Sequence, residues 1–73
     1  MTNEPGVTDA LDETLMRDLV PQVIGIVIRR GANFAAAEDA VQDAVLAALE
    51  TWPADPPREA KAWLITTAWR KFL

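Results

Sequence analysis

Asp39, Gln42, Asp43, Leu46 and Glu50 bring three carboxylates, an amide and a leucine into one short stretch at spacings of three or four residues. On a helix turning about 100° per residue they fall within a sector of about 100°. Paired carboxylates can serve general acid/base catalysis or hold a divalent metal, as in glycosidases and carboxylate-bridged bundles. That chemistry lacks its usual companions here. The chain has no histidine and no cysteine, and no second carboxylate-bearing helix is in sight to face the first. This excludes disulfides, thiolate nucleophiles, imidazole bases and the common zinc sites. The reading is therefore non-enzymatic, with no cofactor and no metal. A face made only for solubility would mix Lys with Glu, whereas this one is acidic, lacks any base and has a leucine at its centre. It suits docking of a basic partner. The plainer alternative is an ordinary exposed leucine among solubilising acids.

A second group, Arg58, Lys61, Trp63, Thr66, Thr67, Arg70 and Lys71, gathers at the other end. Rings, hydroxyls and guanidinium groups on one helical face suit a single nucleic-acid strand, with bases stacked on aromatics and phosphates held by Arg and Thr. The alternative is that Trp63 and Trp69 belong to the core and that Arg70 and Lys71 merely favour a helix C-terminus. The charge distribution supports two different partners. The net charge is −4, yet residues 1–57 carry three bases and ten acids (3 − 10 = −7), and residues 58–73 carry four bases and one acid (4 − 1 = +3). The acidic total alone would argue against nucleic acid, since phosphate contacts supply most of that affinity.

The elements that must position these groups are helices. At 73 residues, 51% hydrophobic and 25% charged, the chain allows one small globular domain of marginal stability, and no apolar run reaches the ~18 residues of a membrane span. Residues 1–7 read as a flexible N-terminal tail without a signal-peptide pattern, and the expected compartment is the cytoplasm. A first helix is expected from Thr8 to Arg30, capped by Thr8 or Asp9 and ended by Gly31, with Leu11, Leu15, Leu19, Val23 and Val27 as its buried stripe. Pro21 predicts a kink near Val20 or a division into two helices. The β-branched run from Val23 to Ile28 could pass for a strand, but a lone strand cannot make a sheet.

A second helix is expected from Asn33, a good N-cap, to Trp52, because Pro53 cannot continue it. Its core stripe is expected to be Val41, Val45, Ala48, Leu49 and Trp52. After the proline-rich loop, Asp55 is expected to cap a third helix with Pro56 or Pro57 in its first turn, burying Leu64, Ile65, Ala68 and Phe72. The fold class is all-α, a small bundle of three to four helices.

The run Ala37-Glu-Asp-Ala-Val-Gln-Asp-Ala-Val-Leu-Ala-Ala-Leu-Glu-Thr-Trp52 and the later run Ala62-Trp-Leu-Ile-Thr-Thr-Ala68 resemble region 2 of extracytoplasmic-function sigma factors, most of all the subgroup with C-terminal extensions. The first is similar to the family's acidic polymerase-binding helix and the second to the start of its promoter-reading helix. Leu11 to Arg30 also looks like the family's first helix. The resemblance implies that Asp39, Gln42, Asp43, Leu46 and Glu50 bind the basic clamp helices of the polymerase β′ subunit. It implies that the loop from Trp52 to Ala60 captures a flipped-out base of the minus-10 promoter element. The helix from Lys61 would hold the single non-template strand. Here the loop is proline-rich and short of the polar residues that often line such a base pocket, leaving Arg58 as a candidate. On this reading residues 8–73 form a region 2-like domain whose last helix is incomplete, and the region 4 helix-turn-helix is absent from the chain. An anti-sigma factor or self-association would be further partners, and no membrane is involved. The alternative class is a helical dimerisation module without DNA binding, in which Leu46 and the tryptophans form the interface. A metal-dependent hydrolase is the third.

Overall fold

A computed structural model describes residues 13–73 and consists there of three helices: α1 (Glu13–Arg29), α2 (Phe34–Thr51) and α3 (Ala60–Phe72). The expected tail, the Thr8 or Asp9 cap and Leu11 lie outside the described residues. α2 and α3 share the most extensive packing, and α1 lies against both.

α1 is one helix, with Pro21 inside it, so of the two alternatives, a kink or a division, the division into two helices does not occur. Pro21 and Arg17, whose carbonyl loses its intrahelical donor, are both exposed; water can satisfy that carbonyl at little cost. The neighbouring carbonyl of Asp18 accepts a bond from Gln22 Nε2 at 3.1 Å. Leu19, Val23 and Val27 are buried as their spacing predicts, and Leu15 packs against the core. The helix ends in a Schellman arrangement: Gly31 N–H donates to the Ile28 carbonyl (2.9 Å) and Ala32 N–H to the Val27 carbonyl (3.3 Å). Gly31 takes φ +125°, a conformation that a side chain would strain.

Asn33 caps α2 as its type suggests, Oδ1 accepting from Ala36 N–H at 2.8 Å. At the other end Trp52 N–H still donates to the Ala48 carbonyl (2.9 Å), and Pro53 follows. The buried face of α2 is Ala37, Ala40, Val41, Ala44 and Ala48, with Trp52 closing it. Leu49, expected in the core, is instead 53% exposed. The expectation centred the stripe on the largest apolar side chains. The centre is a row of alanines, which let a neighbouring helix come close, and on a helix wheel Leu49 lies roughly 115° from that centre.

α3 starts at Ala60, with Glu59 at the N-cap position making no side-chain cap bond. Asp55 therefore does not cap it, and Pro56 and Pro57 stay in the loop. Each residue before a proline is pushed from helical towards extended backbone, so the Asp55-Pro56-Pro57 run delays the helix. Leu64 and Ala68 are fully buried, while Ile65 and Phe72 pack against the core from its edge.

Candidate polymerase and nucleic-acid surfaces

Asp39, Gln42, Asp43, Leu46 and Glu50 all emerge on the solvent side of α2. Leu46 is 58% exposed. None of the five side chains is engaged in an ion pair or hydrogen bond among the described residues. The alanine row beneath explains this freedom: it carries the packing, so the outer groups have no structural duty. Leu49 joins the same surface three residues beyond Leu46, a spacing that makes the two neighbours on a helix. The result is an apolar centre edged by carboxylates. Periodicity alone does not reveal this centre, because it places Leu49 inward. No group of His, Cys, Asp and Glu able to hold a metal occurs among the described residues, so the carboxylates have no site geometry for metal chemistry there.

The groups expected on the basic side fall into two sets. Arg58, Thr66, Arg70 and Lys71 are exposed, whereas Lys61, Trp63 and Thr67 are half-buried. Lys61 Nζ donates to Gln22 Oε1 at 2.8 Å, tying the first turn of α3 to the middle of α1. Trp63 meets Trp52 edge to face, with centroids 5.2 Å apart and planes at 77°, a favourable arrangement of aromatic quadrupoles. Trp63 is thus anchored on the core and still reaches the surface. The Trp52 indole N–H beneath it is buried and has no acceptor among the described residues.

Trp69 is also half-buried, leaning on Phe72 at 5.1 Å and lying under the Arg30 guanidinium, 5.6 Å from its centroid. Arg30 was not among the expected site residues. Its only sequence signal was a base in the last turn of a helix, which by itself is explained by the helix dipole. A shallow groove on α1, lined by Glu13, Met16, Arg17, Val20 and Pro21, contains none of the expected site residues.

The family profile described as sigma-70 region 2 matches residues 15–73. An uncharacterized protein of Rhizobium meliloti is 46% identical over 46 residues, an alignment covering 62% of this chain and 11% of that protein. The chain thus corresponds to a small part of that relative's length. No solved structure matches.

Proposed function

The chain belongs to the sigma-70 region 2 family, and from that membership we propose that it is the region 2 domain of a bacterial extracytoplasmic-function sigma factor, of the subgroup with C-terminal extensions. Region 2 domains are non-enzymatic parts of transcription initiation factors. In this proposal α2 docks on the β′ clamp helices of core RNA polymerase through Asp39, Gln42, Asp43, Leu46 and Glu50. The loop with Arg58 and the face of α3 with Lys61, Trp63, Thr66, Thr67, Arg70 and Lys71 hold the opened minus-10 strand. The protein acts in the cytoplasm, where the polymerase is. An anti-sigma factor would compete for these same surfaces.

The observation that carries the reading is the α2 face: exposed carboxylates without partners among the described residues, set around an exposed leucine. Free carboxylates steer a basic partner and the leucine gives it an apolar anchor. On α3, bases stacked on aromatics are each worth about 1 to 3 kcal/mol, enough to help offset the unstacking of a captured base.

The test is a fluorescence titration of the chain against a β′ clamp-helix fragment at two salt concentrations, with Asp43→Arg and Gln42→Ala alongside. Salt-sensitive binding that Asp43→Arg abolishes supports the assignment. Equal binding by both variants would show that the face is wrong. The alternative, a dimerisation module, takes its support from the exposure of Leu46 and Leu49. Sedimentation separates the two: a stable dimer that is broken by Leu46→Ser and is indifferent to DNA favours the module.

A further inference from the structure

Arg30 sits where the outward side of α3 meets the end of α1. Counting about 100° per residue from buried Ala68, Trp69 lies near 100°, Thr66 near 160°, Arg70 near 200° and Trp63 near 220°. The two tryptophans therefore rim the outward arc of α3, with Thr66 and Arg70 between them. Trp63 is braced by Trp52 on the α2 side. Trp69, on the other rim, is covered by the exposed Arg30.

Among the described residues Arg30 has no carboxylate within ion-pair distance and makes no side-chain hydrogen bond. Stacking on a ring leaves the edge of a guanidinium free, and that edge presents paired N–H donors matched to phosphate oxygens. It also restricts a long side chain in advance, which lowers the entropy lost on binding. The ends of both helices are basic: Arg29, exposed, closes α1 just before Arg30, and Arg70 and Lys71 occupy the last turn of α3.

We infer that Arg30, oriented by Trp69, holds a backbone phosphate of the DNA strand that α3 binds, so that the nucleic-acid surface extends from α3 onto the end of α1. The inference rests on the proposed promoter-binding role of α3. It gives the Arg30–Trp69 pair a duty beyond clasping two helices together.

The experiment follows the fluorescence anisotropy of a labelled single-stranded oligonucleotide titrated with the 73-residue chain over a series of salt concentrations. The chains compared are the parent, Arg30→Met, Arg30→Lys and Arg70→Ala, with thermal melts of each. Met keeps an apolar stem over Trp69 and removes the charge. Arg30→Met should weaken binding about three- to fivefold at low salt and reduce the slope of log affinity against log salt by about 0.7, the loss of one phosphate contact on a single strand. Arg30→Lys should keep the parent slope. If Arg30→Met lowers only the melting temperature and keeps the parent slope and affinity, the pair is a structural clasp and the inference falls. Binding lost in Arg70→Ala but intact in Arg30→Met overturns the inference alone. A folded parent that binds no oligonucleotide overturns the promoter reading of α3 as well.

Discussion

The outer faces of α2 and α3 are built on opposite plans. On α2 the structural work is done by Ala37, Ala40, Ala44 and Ala48 beneath, and the groups on the outer face make no bond among the described residues. On α3 some of the groups suited to nucleic acid also hold the fold. Trp63 leans on Trp52, Lys61 is bonded to Gln22, and Trp69 lies under Arg30. Under the proposed function, binding and stability are therefore separable on α2 and shared on part of α3. The difference fits what each surface would meet. A folded protein partner needs complementary groups on a rigid face, whereas a flexible strand needs rings and cations already held in place.

Trp63→Ala should break that comparison most visibly. The edge-to-face contact with Trp52 and part of the core edge are lost together, so unfolding stability should fall by about 2 to 3 kcal/mol, below the range for a fully buried ring because Trp63 is half-buried. Urea denaturation measures this, and oligonucleotide binding should weaken in the fraction that remains folded. A loss under about 0.5 kcal/mol would show that the α3 face is as separable as that of α2. The paired substitution Leu46→Ser with Leu49→Ser sharpens the other side. Clamp-helix affinity should drop about tenfold, near 1.4 kcal/mol, while stability stays within about 0.5 kcal/mol because both side chains already stand in water. Destabilisation by more than that would mean that the leucines support the fold.

How much of this was legible in the residues depended on how local the cause was. The limits of α2 follow from Asn33 and Pro53, which act through their own backbone neighbours, and they came out as expected. The buried positions of α1 follow from a four-residue repeat that tolerates Pro21, because the disturbed turn faces water. The start of α3 was misplaced by giving weight to Asp55 as a cap over the conformational demand of two consecutive prolines. Leu49 was misplaced because burial was judged by size, and only the packing of α2 against α3 reveals that small residues mark the core. The solvent position of Asp39, Gln42, Asp43, Leu46 and Glu50 was read correctly from periodicity. The clasps were not readable at all. Arg30 with Trp69 and Gln22 with Lys61 are separated by 39 residues each (69 − 30 and 61 − 22), and no local rule pairs them.

The smallest expected effect tests the weakest of these ties. Gln22→Met removes the acceptor for Lys61 Nζ and the donor to the Asp18 carbonyl while keeping an unbranched side chain of similar length in the helix. Both bonds lie at exposed positions, where water replaces what is lost, so stability should fall by only about 0.5 to 1 kcal/mol. The released ammonium should then be free to seek a phosphate. If Lys61 is held back by Gln22 in the free protein, oligonucleotide affinity should be unchanged or slightly higher in the variant, with a steeper salt dependence. If Gln22 instead holds Lys61 in the position that the strand requires, affinity should fall although no DNA-contacting group has been altered. Anisotropy titration of parent and Gln22→Met under one salt series distinguishes the two. It decides whether a bond shared between fold and surface on α3 restrains the binding group or presents it.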